Sequence, residues 1–157
     1  MELRKFIERT AATGILGVKI TQNGEDMGKH LWDEECRRNI YSASKSFTSA
    51  AVGIAVKEGL LRLEERLVDA FSEDIPENPN EFLQQATVRD LLTMCLGQQN
   101  AELMGGQRPF YQQKDWVRMS LAFPFTECPG KRFLYNNVGP YLAGILVPVS
   151  YTHLRAH

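Results

Sequence analysis

The segment Ser42-Ala43-Ser44-Lys45 stands where a run of helix-forming residues begins. A serine and a lysine three residues apart share one face of a helix. That places a hydroxyl nucleophile and an amine base within reach of each other, the minimum for covalent acyl transfer without histidine. The competing reading is that Ser42 is simply a helix N-cap, a role serine fills well. Two local features favour chemistry. A capping box would put Glu or Gln where Lys45 stands, and a lysine in the first turn opposes the positive end of the helix dipole. A residue that breaks a local rule is where function is expected, and a place that disfavours an ammonium suits an amine acting as a base. Tyr135-Asn136-Asn137 is a second short polar motif far downstream. Its structural reading is that Asn136 or Asn137 caps the following helix. Its functional reading makes the Tyr135 hydroxyl a proton relay between Ser42, Lys45 and a leaving group, with Asn137 holding the Lys45 amine and a substrate amide in register.

The elements that must carry these residues follow from periodicity. Glu2 to about Ala12 reads as a short helix with Leu3, Phe6 and Ile7 on one face. Ile15 to Thr21 reads as a strand, with Leu16, Val18 and Ile20 alternating against Gly17, Lys19 and Thr21. Asn23-Gly24 is a type I′ hairpin signal, and the return strand is expected through Met27 to Trp32. Ala43 to Glu58 reads as a helix stopped by Gly59. Phe47, Ala50, Ala51, Ile54 and Ala55 form a stripe on it. Val52 and Val56 make it apolar nearly all round, the pattern of a helix buried at a domain centre. Phe71 to Asn80, with Pro76 and Pro79, reads as loop. Thr87 to Leu96 reads as a helix with Thr87 as cap, Val88, Leu91, Leu92 and Cys95 as apolar face, and Gly97 as stop. Asn100 to Arg108 reads as loop and Lys114 to Leu121 as a short helix. Pro129-Gly130 reads as a turn, and Val138 to Val147 as a last helix.

A chain of 157 residues, 43% hydrophobic and 24% charged, is ordinary for one globular domain. A net charge of −1 gives no electrostatic case for nucleic acid or an anionic membrane as partner. Cys36, Cys95 and Cys128 lack metal-ligand spacing and read as free thiols, so neither a metal nor a cofactor is expected. The start Met1-Glu2-Leu3-Arg4-Lys5-Phe6 shows no secretion signal, and no apolar run is long enough to span a bilayer. A cytoplasmic location is the expectation.

The S-x-x-K pattern at Ser42–Lys45 is the first of three motifs in serine β-lactamases and penicillin-binding proteins. This chain resembles that superfamily, and most closely its class C β-lactamase and esterase-like branch. In that branch the second motif is Y-x-N, after a Pro-Gly turn and an aromatic and before an apolar helix. Here that stretch is Pro129-Gly130-Lys131-Arg132-Phe133-Leu134-Tyr135-Asn136-Asn137-Val138-Gly139. Tyr41-Ser42-Ala43-Ser44-Lys45-Ser46-Phe47-Thr48, Gly59-Leu60-Leu61-Arg62-Leu63-Glu64 and Thr87-Val88-Arg89-Asp90-Leu91-Leu92-Thr93 are similar to the family as well. Where the family often has a His-Thr-Ser-Gly turn, this chain has Met94-Cys95-Leu96-Gly97. The resemblance implies an α/β (α+β) fold, a mixed domain packed on a helical domain with the site between them. It implies Ser42 as nucleophile, Lys45 as activating base, Tyr135 as proton relay and Asn137 as orienting amide. It also implies a small-molecule ester or amide as substrate. A cytoplasmic protein of this branch favours esterase or peptidase over cell-wall enzyme. One oxyanion donor would be the Ser42 N–H, and the other would come from a strand beside the third motif, a Lys/His-Thr/Ser-Gly triplet.

No such triplet follows Tyr135 in these 157 residues. The family also builds most of its central sheet from C-terminal strands, which are missing here. Residues 1–147 are therefore expected to be the N-terminal part of a longer hydrolase domain, inactive as it stands. Residues 148–157 resemble a translated sequencing adapter and are expected to be a non-native tail beginning where Pro148 breaks the last helix. On that reading the i, i+4 pair His153 and His157 is not a metal site, and only His30 remains in the body. The alternative function is a catalytically silent binding or interaction module that keeps the fold without turnover.

Overall fold

Alternation, turn chemistry and capping place the first elements close to where the sequence puts them. The computed structural model describes residues 3–155; Glu2, the expected helix start, and His157, one of the histidine pair, lie outside the described residues. The chain forms two units, one ending at Ile40 and one beginning at Tyr41.

In the first unit, helix α1 (Arg4–Thr10) precedes an antiparallel hairpin of β1 (Gly17–Gln22) and β2 (Glu25–Leu31). Asn23 and Gly24 both take positive φ, 53° and 83°, as a type I′ turn requires. That turn pairs Gln22 directly with Glu25, so polar residues join the ladder and both strands sit nearer the turn than hydrophobic alternation alone indicates. Leu3 lies on Gly28, where an added Cβ would come within 2.6 Å of the leucine, and Phe6 meets Trp32 edge-on at 6.3 Å. The sheet has two strands.

In the second unit a 3-10 turn (Tyr41–Ser44) leads into α2 (Lys45–Lys57). The helices α3 (Leu67–Ala70), α4 (Glu81–Gln85), α5 (Val88–Thr93), α6 (Trp116–Ala122) and α7 (Val138–Arg155) follow. The core lies where α2 and α5 pack on α7, among Val52, Ala55, Leu91, Val138, Leu142 and Ala143, all excluded from solvent. At the α5–α7 crossing a Cβ on Gly139 would stand 2.3 Å from the Leu91 carbonyl oxygen, so only glycine permits this approach. Asp90 accepts from both the N–H and the hydroxyl of Thr87, closing the cap expected there.

Five helices differ from expectation. Helix α2 is not buried all round: Val52 and Ala55 face α7, while Phe47 and Ile54 of the expected stripe are 71% and 54% exposed. Helix α5 ends at Thr93 rather than Leu96, because Met94 takes a left-handed conformation (φ 56°) and terminates it before Gly97. Helices α3 and α4 are too short for a periodic signal, although Asn80 caps α4 by accepting from the Leu83 N–H. Helix α7 does not break at Pro148. A proline forfeits one bond to the fourth residue before it, but here the helix continues to Arg155, with the Ser150 hydroxyl donating to the Leu146 carbonyl. No helix among the described residues is long and apolar enough to cross a membrane.

Candidate active site

Ser42 occupies the 3-10 turn at the entrance of α2. Tyr41 before it has φ 45°, a conformation rare for a non-glycine residue, and the chain turns sharply there. The cap reading of Ser42 does not hold. Ser44 occupies the N-cap position, and the Ser42 hydroxyl accepts no backbone N–H. Its partners are instead two side chains. Lys45 Nζ donates to Ser42 Oγ at 3.0 Å, from the first residue of α2. Tyr135, 93 residues away in sequence, donates to the same oxygen at 2.6 Å.

Tyr135 is brought there by the segment that crosses from α6 to α7. Gly130 N–H bonds the Cys95 carbonyl at 2.7 Å and Leu134 N–H bonds the Met94 carbonyl at 2.9 Å. The tight end of α5 therefore serves as the rail on which residues 130–134 run. Asn136, 1% exposed, then starts α7: its side-chain oxygen accepts from the Gly139 N–H and its amide nitrogen donates to the Leu134 carbonyl. Of the two asparagines, Asn136 is the cap. Lys45 Nζ also lies 5.3 Å from the Tyr135 ring centroid, within cation–π range. The Ser42 hydroxyl, which can turn to donate to the phenolate, and secondly Lys45 hold the Tyr135 hydroxyl below the ordinary tyrosine range, because both stabilise its ionised form.

Asn137, two residues beyond Tyr135, does not bond Lys45 among the described residues. Its amide nitrogen donates to the Leu103 carbonyl at 2.9 Å and approaches Met104 Sδ at 3.7 Å, and its backbone N–H donates to the Glu102 carbonyl at 3.1 Å. The loop before α6 thus fixes Asn137. Its anchor residues, Glu102, Leu103 and Tyr111, are absent from the sequence reading. A left-handed Leu103 (φ 56°) has no sequence signal; Tyr111 had one only as an aromatic in a polar stretch.

Ser42, Lys45 and Tyr135 together form a hydroxyl with two groups able to take and return its proton. A cleft of about 530 Å³ elsewhere in this unit, lined by Asp74, Ile75, Pro76, Arg118, Met119 and Phe123 among others, contains none of them. A cavity of about 40 Å³ lies against Lys45, Thr48 and Leu91. Among the described residues no group of three or more His, Cys, Asp or Glu is placed to hold a metal ion.

Similarity to known proteins accords with this geometry. No curated protein compared matches significantly. Solved structures do. A Bacteroides dorei DSM 17855 protein assigned as a β-lactamase superposes with TM-score 0.72 at 18% identity, over 96% of this chain and 46% of that one. The D-amino acid amidase of Ochrobactrum anthropi SV3, solved with L-phenylalanine, gives TM-score 0.65 at 22% identity, over 96% and 44%. A Bacillus anthracis protein assigned as a 6-aminohexanoate-dimer hydrolase gives 0.66 at 16%, over 97% and 43%. The fold is therefore that of the β-lactamase-like hydrolases, and the chain spans less than half the length of these structures. The family described as Beta-lactamase matches residues 3–152. That match runs through both the Ser42–Lys45 turn and the Tyr135–Asn137 segment, and this chain belongs to the Beta-lactamase family.

Proposed function

We propose that the chain carries the acylating residues of a serine hydrolase acting on a small ester or amide. The observation that carries the reading is the meeting of Lys45 Nζ and the Tyr135 hydroxyl on Ser42 Oγ, at 3.0 and 2.6 Å. In the reaction Ser42 Oγ attacks the substrate carbonyl carbon. Its proton passes to Lys45, the activating base. The resulting tetrahedral oxyanion collapses, the bond to the leaving alcohol or amine breaks, and the proton returns to that leaving group through Tyr135. The acyl group remains on Ser42, and water later releases it. Asn137 orients the substrate. The amidase and amide-dimer hydrolase names among the similar structures favour an amide or ester of this kind.

No steady-state turnover by these 157 residues is expected in this reading. No Lys/His-Thr/Ser-Gly triplet follows Tyr135, which leaves the Ser42 N–H as the oxyanion donor. A missing second donor typically costs about 2.7–4 kcal/mol, roughly a hundred- to a thousand-fold in rate. The test is covalent labelling read by intact mass, with an alkyl fluorophosphonate and a penicillin probe, on the chain and on Ser42→Ala. Labelling of Ser42 that the variant abolishes, without steady-state ester hydrolysis, is the expected result. A folded chain that neither reagent labels would point to a catalytically silent binding module.

A further inference from the structure

The segment that delivers Tyr135 is strapped across the end of α5. Gly97 takes φ 78°, and a Cβ there would collide with the Glu127 carbonyl oxygen, so the two backbones meet directly. The Gly97 carbonyl accepts from the N–H groups of Thr126 and Glu127, at 2.8 and 3.2 Å. Gln98 beside it bridges antiparallel to Phe125. After the Pro129-Gly130 turn, the N–H groups of Gly130 and Leu134 continue the strap onto the Cys95 and Met94 carbonyls.

One side chain closes this strap. Arg132 Nε donates to Glu127 Oε1 at 2.7 Å, and its Nη2 donates to the Gln98 carbonyl at 3.1 Å. Gln98 is 1% exposed, and its own Nε2 holds the Ser120 carbonyl of α6 at 3.1 Å. The guanidinium therefore joins the two limbs of the turn to each other and to a buried point of the core. The ion pair by itself, with side chains 40% and 41% exposed, counts for little. What the planar guanidinium adds is two acceptors held in fixed directions. Tyr135 follows three residues later and must end within hydrogen-bond reach of Ser42 Oγ. We infer that Arg132 is a positioning residue for acyl transfer: by tying Glu127 to the Gln98 carbonyl it holds the 127–134 strap on the end of α5, and so sets the place from which the Tyr135 hydroxyl reaches Ser42 Oγ.

This inference rests on the acyl-transfer reading, and two readouts keep them apart. Ultraviolet titration of the full 157-residue chain follows the early-ionising tyrosine, which Tyr135→Phe should remove. Intact mass follows the rate of fluorophosphonate labelling at Ser42. Arg132→Ala and Glu127→Ala both break the bridge. If Arg132 positions Tyr135, both move the early transition up in pH, because the hydroxyl is drawn away from Ser42 and Lys45, the groups that lower it. A direct charge effect moves it up in Arg132→Ala but down in Glu127→Ala, since losing a cation disfavours a phenolate and losing an anion favours it. Both variants are expected to slow labelling on the order of a hundredfold, the scale of loss when a remote substitution shifts a catalytic group by about 1 Å. Arg132→Ala added to Tyr135→Phe should slow it no further, since both act through one hydroxyl. Arg132→Lys keeps the charge without the two-pronged geometry and should behave as Arg132→Ala does. Opposite shifts in the two variants, an unmoved tyrosine transition, a further loss in the Tyr135→Phe background, or recovery in Arg132→Lys would overturn the assignment. A wild-type chain that does not label would count against the acyl-transfer reading alone, with the titration still deciding how Tyr135 is held. If Arg132→Ala fails to fold, the direction of the shift in Glu127→Ala decides.

Discussion

The Tyr135 hydroxyl reports on its two partners through its own titration. The Ser42 hydrogen bond and then Lys45 hold it below the ordinary tyrosine range, so ultraviolet titration should find one tyrosine ionising early. Ser42→Ala and Lys45→Ala should each move that transition up, with Ser42→Ala the larger effect. The linked stability has a definite sign. A depressed acid contributes fully above its unfolded value, about 10 for tyrosine, and the contribution is lost as pH falls through the folded value. Early titration that persists in both variants would mean another cause. Lys45→Ala should also cut acylation of Ser42 by orders of magnitude, as loss of an activating base does, measured by the labelling rate. At this scale the Ser42–Lys45 contact was legible because i, i+3 spacing on a helical turn forces it. The Tyr135 contact was legible only through the family pattern. The Asn137–Lys45 contact expected from the same pattern does not form, because the Leu103 carbonyl takes the amide, and a left-handed leucine leaves no trace in composition or periodicity.

The elements that deliver these side chains depend on close backbone approaches. Gly139 brings α7 against the Leu91 carbonyl, so Gly139→Ala should destabilise by about 1–3 kcal/mol, the usual cost of overpacking, read as a lowered thermal midpoint. An unchanged midpoint would mean that α5 can retreat from α7 freely. Asn136→Ala removes the cap of α7 and should cost about 0.5–2 kcal/mol. It should also weaken labelling, since the same side chain anchors the Leu134 carbonyl beside Tyr135. These elements were readable in part. Thr87 announced the start of α5, and Asn23-Gly24 announced the hairpin. The end of α5 was not readable, because Met94 rather than Gly97 adopts the left-handed cap. Nor was the passage of α7 through Pro148, since the loss of one hydrogen bond does not by itself end a helix held by its neighbours.

For the molecule as a whole, the apolar pattern along the chain exceeds what its own residues cover. On α2, Phe47 and Ile54 stay exposed, and the hairpin unit leaves Ile15, Leu16, Met27 and Leu31 substantially exposed. Where such side chains form a contiguous patch, apolar surface marks an interaction site or an aggregation liability. The two-stranded sheet adds outer edges whose backbone groups are available to another chain, and a sheet of that size is marginal in water by itself. The all-round apolar sequence of α2 pointed to burial on every side, and that expectation failed, because α7 covers only the Val52 and Ala55 side. We expect concentration-dependent association of the purified chain, seen by light scattering and by binding of a hydrophobic dye. Phe47→Glu combined with Ile54→Lys should reduce both without lowering the thermal midpoint, since neither side chain belongs to the core around Val52 and Leu142. If the α2 face drives association, the double variant elutes as a monomer at concentrations where the parent chain does not. Association that survives the double variant would assign it to the hairpin edges, and charged residues at Leu16 and Leu31 would then be the next substitutions. A monodisperse parent chain that binds no dye and unfolds cooperatively would show that these exposed residues carry no cost, and the expectation of association would be wrong.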